Sequence, residues 1–308
     1  MVQKLRISIV QYLNTAPLVW GFTRGELRGK YELSFTVPSQ CAEALRSGAA
    51  DIAIIPAIEY QRISGLAVLP DLAIASRNRV RSLLILSKKP IEQVRSIALD
   101  RSSRSTQALT RILAKQYWKI AAEFCEAAPD LRAMLERADA AMLIGDPALR
   151  MSLAMEKGST VNRQGRAVCQ GAALGVTSAE ILHVYDVVGE WRAMTGLPAV
   201  MAIWAAKREL ANDEVTGDFL ASRDFGMSQL AAISLEASRE LELPAAALEA
   251  YLRESIDFSL GEENRRGLER YFQEAAKLDL IPHARAIEWA SGSGLVSPEK
   301  TAAAHAES

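Results

Sequence analysis

Residues 6–17 read Arg-Ile-Ser-Ile-Val-Gln-Tyr-Leu-Asn-Thr-Ala-Pro, and this stretch decides the fold. Arg6 to Val10 alternates in polarity and is rich in β-branched residues, which predicts a β-strand. The turn that follows holds Asn14 and Thr15, either of which can cap a helix, and Pro17 suits the first turn of that helix. The stretch therefore predicts a strand that leads directly into a helix.

The same alternation of elements continues downstream. Leu33 to Val37 predicts a second strand, and Ser39 to Gly48 predicts a capped helix that ends at its glycine. Asp51 to Pro56 is a short apolar run, typical of a strand buried in a parallel sheet. The order β-α-β-α-β predicts a parallel sheet covered by helices.

The rest of the chain predicts a second lobe. Another α/β block occupies the middle, Pro198 to Ala206 is an apolar return segment, and the chain from Glu209 onward is almost wholly helical in pattern. We expect an α/β protein with two lobes, each a mixed sheet covered by helices. The predicted first lobe comprises residues 1–87 and 203–308, the second comprises 88–202, and the ligand cleft lies between them at the carboxyl ends of strands.

Composition excludes several classes of partner. The chain has 308 residues and a net charge of −1, with acidic and basic residues interspersed. No basic face is predicted, so we expect neither nucleic acid nor a membrane surface as a partner. The first apolar run is too short for a secretory signal, which usually needs roughly seven to fifteen apolar residues. We therefore expect a cytoplasmic protein.

Motifs for metals and nucleotides are missing from the sequence. Cys41, Cys125 and Cys169 are far apart and form no CxxC pair, which argues against a zinc site and against a disulfide framework. The chain has no GxxxxGK[ST], GxGxxG, GxSxG or HExxH motif. The sequence thus predicts no metal site.

Polar loops at the ends of predicted strands are the candidate binding elements. Asn14 offers an amide donor and acceptor, which leaves helix capping and ligand binding as equal alternatives. Ser102 to Thr106 precede a helix, where hydroxyls and free amides suit an anion, and Arg104 would add a charged contact. A hydroxyl-rich helix cap is the alternative there.

Two further loops complete this set. Gly145 permits close approach of the backbone to a ligand, whereas the following Asp146 is predicted to cap the next helix rather than face the cleft. Ser82 begins a strand near the crossing between lobes, where its hydroxyl would point into the cleft. Together these groups describe a pocket for a small carboxylated molecule, and they fit an enzyme or a binding protein equally well.

Taken in order, these loops resemble those of the chorismate dehydratases of the futalosine route to menaquinone. The resemblance runs from about Arg6 to about Leu280, and its segments are specific in combination although each alone is weak. They are Tyr12-Leu-Asn-Thr-x-Pro-Leu, Asp51-Ile-Ala-Ile-Ile-Pro, Arg81-Ser-Leu-Leu-Ile-Leu-Ser, Leu99-Asp-Arg-Ser-Ser-Arg, Leu143-Ile-Gly-Asp-x-Ala-Leu and Glu190-Trp-x-x-x-Thr-Gly-Leu-Pro-x-Val.

The resemblance implies a type II periplasmic-binding-protein-like fold and a hydro-lyase without metal or organic cofactor. The implied reaction removes water from chorismate to give 3-[(1-carboxyvinyl)oxy]benzoate. We expect Asn14 and Ser82 to act in catalysis while the enolpyruvyl carboxylate of the substrate takes the proton, with Asp146 and Glu59 as rival bases. The implied substrate-binding residues are Tyr12, Thr15, Pro56, Ser103, Arg104, Ser105, Thr106, Gly145 and Asp146.

The chain departs from the family pattern in three places. Ser103-Arg-Ser-Thr106 replaces a Ser-Arg-Thr-Ser order, Ala57 follows Pro56, and Ala199 and Met201 replace phenylalanines, which we expect to loosen the pocket wall. The alternatives are 1,4-dihydroxy-6-naphthoate synthase of the same pathway and a non-catalytic protein that binds a small carboxylate. The helices after Glu209 fit a homodimer surface as well as ordinary core packing.

Overall fold

The computed structural model describes residues 4–155, 160–161, 167–171 and 181–290. Within these ranges the chain forms two sheets. The strands are β1 (Arg6–Val10), β2 (Glu32–Thr36), β3 (Ile52–Pro56), β4 (Leu66–Ser76), β5 (Leu83–Ser87), β6 (Ser96–Asp100), β7 (Glu123–Ala127), β8 (Ala140–Ile144), β9 (Thr160–Val161), β10 (Ala167–Gln170), β11 (Ile181–Asp186) and β12 (Ala199–Lys207).

Helices cover both sheets. They are α1 (Ala16–Arg24), α2 (Pro38–Ser47), α3 (Ala57–Arg62), α4 (Arg104–Ile112), α5 (Leu131–Arg137), α6 (Gly145–Met155), α7 (Val187–Thr195), α8 (Asp213–Ser228), α9 (Leu230–Leu241), α10 (Ala245–Glu254) and α11 (Glu262–Lys277). None of the helices in the described ranges combines the length and the apolar character needed to cross a bilayer.

Each sheet is mixed, as the sequence predicts. The first has the order β2-β1-β3-β12-β4, with β12 antiparallel between β3 and β4. The second, counted over the described residues, has the order β7-β6-β8-β5-β11-β10-β9, with β7, β6 and β8 parallel. The predicted β-α-β-α-β order of the first sixty residues is thus confirmed.

Sheet membership corrects the predicted lobe boundaries. The boundary drawn after residue 87 put β5 in the first lobe, but β5 pairs with β8 and β11 of the second sheet. The boundary at 203 divides β12, all of which belongs to the first sheet. The error arises because β4 and β5 are both buried apolar strands, and the short polar link between them, residues 77–82, does not itself show that the chain changes sheet there.

Loops at the carboxyl ends of four parallel strands carry the predicted binding residues. β1 leads into Tyr12, β3 ends at Pro56, β6 leads into Ser102 and β8 leads into Gly145. Ser82 precedes β5, which is antiparallel to β8 with Leu83 opposite Ile144, so it reaches the same edge of the second sheet. The topology therefore brings these loops toward one cleft.

Helix capping differs from the prediction at the start of the chain. Leu13–Thr15 form a single 3-10 turn, and neither Asn14 nor Thr15 makes a side-chain cap for α1. The tight turn uses the backbone instead, since the Thr15 N–H donates to the Tyr12 carbonyl at 3.0 Å. Gly48 does end α2 as predicted, in the left-handed conformation with φ 76°.

Close packing of α1 against α8 depends on glycine. A Cβ at Gly226 would overlap the carbonyl oxygen of Pro17 in α1, whereas a Cβ at Gly217 of the same helix would meet nothing within 4 Å. Two glycines of one helix thus differ only in what surrounds them.

We predict opposite effects for the two alanine variants. Gly226→Ala should lower the free energy of unfolding by about 2 to 3 kcal/mol, because the backbones of α1 and α8 must separate. Gly217→Ala should raise it by about 0.5 to 1 kcal/mol through helix propensity. Urea unfolding followed by circular dichroism measures both, and equal effects would contradict the α1–α8 packing described above.

Candidate active site

The loop after β1 touches the start of α6 across the lobes. The Leu13 N–H donates to Asp146 Oδ1 at 3.1 Å. Gly145 has φ 63°, and a Cβ there would lie 2.8 Å from the Tyr12 ring. Gly145 is therefore needed to seat Tyr12, and the Asp146 carboxylate binds the opposite lobe.

The two predicted catalytic residues meet at a third side chain. The Tyr251 hydroxyl donates to Ser82 Oγ at 2.8 Å, and the Asn14 side chain hydrogen-bonds the same hydroxyl. Thr15 Oγ1–H donates to Asn14 Oδ1 at 3.4 Å, and the Gly145 N–H donates to the Ser82 carbonyl at 2.8 Å. Asn14, Ser82 and Gly145 thus form one connected group, although they are up to 131 positions apart.

Sequence reasoning missed Tyr251. It lies in α10, where the apolar pattern indicates ordinary core packing, and its ring is indeed 1% exposed. No motif marks it, because its partners come from two other loops. A tyrosine among the apolar positions of a helix is the only available signal, since a buried phenol requires a hydrogen-bond partner.

The start of α4 joins this group through Tyr12. The Tyr12 hydroxyl hydrogen-bonds the Ser102 side chain. Both the N–H and the hydroxyl of Ser102 donate to Asp100 Oδ1, at 2.9 and 2.7 Å. Asp100 is fully buried, and burial raises the pKa of its carboxyl above the usual range. Asp100 therefore orients Ser102, which in turn orients Tyr12.

The hydroxyls predicted to bind a carboxylate have partners within the protein. Ser103 is the N-cap of α4; its hydroxyl donates to Thr106 Oγ1 at 2.8 Å and accepts from the Thr106 N–H at 3.4 Å. Ser105 Oγ accepts from the Ile58 N–H of the first lobe at 3.2 Å. The capping alternative is thus the one observed for Ser103.

Arg104 faces the first lobe. Its guanidinium donates to Glu59 Oε2 at 2.9 Å and to Glu43 Oε1 at 2.6 Å. Glu59 is fully buried and also pairs with Arg46 and with Arg62, the latter at 2.8 Å. Since three arginines surround this carboxylate, Glu59 is poorly suited to act as the rival base, and it binds the lobes together.

The substituted wall positions leave little space. Ala199 and Met201 line a cavity of about 10 Å³ beside Ser105 and Thr106. Pro56 and Ala57 are fully enclosed at the end of β3. The smaller side chains therefore do not open the junction of the lobes in the way expected from the sequence.

Asp146 is the carboxyl group best placed to exchange a proton near neutral pH. Burial raises its pKa to about 6, while the hydrogen bond from Leu13 and the charge of Arg150 act in the opposite direction. Glu240, from the first lobe, raises it further. A carboxyl with a pKa near the working pH is suited to acid–base chemistry.

A separate pocket of about 360 Å³ opens beside Tyr12 and Asp146, between α1 and α9. Its wall is largely apolar, and its ionisable groups are Arg24, Asp146, Glu236 and Glu240. Arg24 is already ion-paired with Glu236 at 2.7 Å. The carboxyl groups of Asp146 and Glu240 in this wall disfavour an anionic ligand.

Metal ligands do not converge in the described part of the chain, where no three His, Cys, Asp or Glu side chains could together hold an ion. The three cysteines are unpaired, with Cys41 and Cys169 buried and Cys125 exposed. The polar chemistry of the cleft therefore comes from hydroxyls, one amide and carboxyl groups.

Comparison with known proteins agrees with this description. A family model described as menaquinone biosynthesis matches residues 5–277. A chorismate dehydratase from Thermus thermophilus is 28% identical over 280 residues, covering 90% of this chain and 96% of that protein.

Solved structures share the fold at low identity. Protein AF1704 from Archaeoglobus fulgidus has a TM-score of 0.66 at 16% identity, covering 90% of this chain and 98% of that one. The periplasmic aliphatic sulphonate binding protein SsuA from Escherichia coli has a TM-score of 0.56 at 18% identity, covering 95% of each chain. The predicted periplasmic-binding-protein-like fold is confirmed.

We predict that Glu59 stabilises the fold far more than its neighbour Glu43. Glu59→Gln should lower the free energy of unfolding by about 3 kcal/mol, because it leaves three partly buried guanidinium groups without a central charge. Glu43→Gln, which alters a half-exposed carboxylate of the same cluster, should lower it by less than about 1 kcal/mol. Urea unfolding compares the two, and equal losses would contradict the role given to Glu59.

We predict a pH-dependent difference between the wild type and Asp146→Asn. The folded-state pKa of about 6 exceeds the unfolded value of about 4, so the neutral carboxyl is favoured by folding. The stability contributed by Asp146 is therefore complete below pH about 4 and is lost as the pH rises through about 6. Asparagine keeps the acceptor for Leu13 without titrating. Unfolding from pH 4 to pH 8 should show the difference, wild type minus variant, falling with pH and then levelling; a constant difference would refute the shift.

Proposed function

We propose that this chain, which belongs to the menaquinone biosynthesis family, removes water from chorismate to give 3-[(1-carboxyvinyl)oxy]benzoate. One observation carries the proposal: Asn14 of the first lobe and Ser82 of the second hydrogen-bond the same Tyr251 hydroxyl. The 28% identity to a chorismate dehydratase over nearly the whole chain supports it. The enzyme class is then a carbon–oxygen lyase.

The reaction needs modest assistance. A base takes the proton from C3 of the ring, the electrons of that C–H bond form a ring double bond, and the hydroxyl leaves C4 with its electron pair. Proton and hydroxide together make one water, and the ring becomes aromatic. Because aromatisation drives the reaction, an enzyme contributes mainly orientation, a proton acceptor and stabilisation of the leaving oxygen.

We propose that the enolpyruvyl carboxylate of the substrate is the proton acceptor. In this hypothesis Asn14 holds that carboxylate and Ser82 donates to the leaving hydroxyl. The ion pairs of Glu59 support the hypothesis, since a carboxylate enclosed by three arginines is a poor proton acceptor. Asp146 stays as the rival, because its pKa of about 6 suits proton transfer and it adjoins the same loop.

The ring carboxylate of chorismate needs a separate site. We propose that the first turn of α4 provides it through free backbone amides and the helix dipole, with Ser103 and Thr106 at its rim. The hydrogen bond between Tyr12 and Ser102 supports this position, since it joins that turn to the Asn14 loop. Arg104, which is paired with Glu43 and Glu59, would hold the turn in place rather than touch the substrate.

We predict that the purified protein converts chorismate to an aromatic product lighter by one water. Asn14→Ala and Ser82→Ala should each lower kcat by about 100-fold, the usual effect of removing one donor to a developing charge. Liquid chromatography with mass detection follows the product, with boiled protein as the blank.

Ser87→Ala is the matched control for Ser82. Ser87 lies at the far end of β5, is equally buried, and hydrogen-bonds the Lys89 carbonyl at 2.7 Å. This variant should keep its turnover. A large loss in Asp146→Asn together with full activity in Asn14→Ala would transfer the base role to Asp146. Unchanged chorismate with the wild type would overturn the proposed reaction, and a thermal shift on adding chorismate would then favour a binding protein.

A further inference from the structure

Tyr251 is a buried polar residue whose hydroxyl has partners from both lobes. Its side chain is 1% exposed, so the phenol is shielded from water. Burial raises its pKa well above the usual range, and the hydroxyl keeps its proton at neutral pH. The O–H is therefore a permanent donor, and the direction of its hydrogen bond shows which of its partners donates and which accepts.

The hydrogen bonds around Tyr251 all run one way. The single hydrogen of the Tyr251 hydroxyl is donated to Ser82 Oγ, so this hydroxyl can only accept from Asn14, through the amide nitrogen; Asn14 Oδ1 accepts from Thr15 Oγ1–H at 3.4 Å. The Tyr251 hydroxyl donates onward to Ser82 Oγ at 2.8 Å. The order of donation is thus Asn14, Tyr251 and then Ser82, preceded by a long contact from Thr15.

Ser82 is the last member of this series of hydrogen bonds, and its own hydroxyl hydrogen is still available to donate. Its oxygen is occupied by the proton from Tyr251, so its own O–H must point elsewhere. Among the described residues, the partner of that hydrogen is the Val80 carbonyl at 3.4 Å, well beyond the usual 2.7 to 2.8 Å or so for O–H···O bonds. A closer acceptor on a substrate would replace this long contact.

We propose that Tyr251 is a positioning residue that fixes Ser82 as a hydrogen-bond donor to the leaving hydroxyl. The inference rests on the proposed dehydration. In it, the Tyr251 hydroxyl determines the direction in which the Ser82 O–H points. With the Tyr251 hydroxyl in place, the Ser82 hydrogen is directed away from Tyr251; without it, the serine oxygen has a free lone pair and its hydroxyl rotates freely. Successive donors in a buried chain also strengthen the last one.

The kinetic consequence is specific. Charge develops on the leaving oxygen only in the transition state, so loss of an aligned donor lowers kcat and leaves KM nearly unchanged. Tyr251→Phe, which keeps the ring, should lower kcat by about tenfold with KM within about twofold. Thr15→Val, at the other end of the chain, should lower kcat by about threefold, since it acts through two intervening bonds.

Tyr271→Phe is the matched control. Tyr271 is a second buried tyrosine, and its hydroxyl donates to the Ser105 carbonyl at 3.0 Å, away from Ser82. Both variants remove one buried phenol hydroxyl and should lower stability, but the control should keep kcat. A purely structural role for Tyr251 would make the two variants alike in turnover.

The double variant Tyr251→Phe with Ser82→Ala tests the connection itself. Because Tyr251 acts through Ser82, the double variant should be no slower than Ser82→Ala alone, whereas independent roles would multiply the two losses. Multiplied losses, or full kcat in folded Tyr251→Phe, would overturn the inference while wild-type turnover keeps the proposed function. A wild type that leaves chorismate unchanged would overturn both.

Discussion

The Glu59 carboxylate is the contact on which the arrangement of the lobes depends. It is fully buried at the start of α3, and the arginines around it come from α2, from α3 and, across the cleft, from α4. A buried charge of this kind is stable only while its partners stay in place. The first turn of α4 is therefore held against the first lobe. Two further hydrogen bonds join the same surfaces: the Ile58 N–H donates to Ser105 Oγ, and the Ser39 N–H donates to the Ser102 carbonyl.

This constraint explains why many predicted ligand groups contact protein instead. Arg104, Ser105 and Ser102 lie at a joint between two lobes, and a joint needs the same donors and acceptors that a carboxylate site needs. Serine and arginine side chains are equally suited to join two lobes or to bind a carboxylate, and the topology of the chain decides which of these they do. Besides the backbone amides proposed for the first turn of α4, the groups left for a ligand are those nearer β1 and β5, where Asn14 and Ser82 meet Tyr251.

The sequence predicts the local elements well and the long-range contacts poorly. The strand pattern of the first sixty residues and the end of α2 at Gly48 follow from local periodicity and from glycine's left-handed conformation. The need for glycine at position 145 could not be predicted, because the ring that a Cβ there would overlap belongs to Tyr12 in the other lobe. The role of Tyr251 could not be predicted for the same reason: the hydrogen-bond partners of its hydroxyl lie in two loops that are distant from it in the sequence.

A two-lobed fold needs few changes to support the proposed elimination. A binding cleft already brings loops of two lobes around a small anion and excludes water. Elimination that makes an aromatic ring adds only the demand that one donor point at the leaving oxygen and not merely lie near it. In the proposed mechanism, the series of hydrogen bonds from Asn14 through Tyr251 to Ser82 would meet that demand with neutral groups. Neutral donors also suit a substrate with two carboxylates, because a buried cation nearby would bind those charges in the ground state and gain nothing at the transition state.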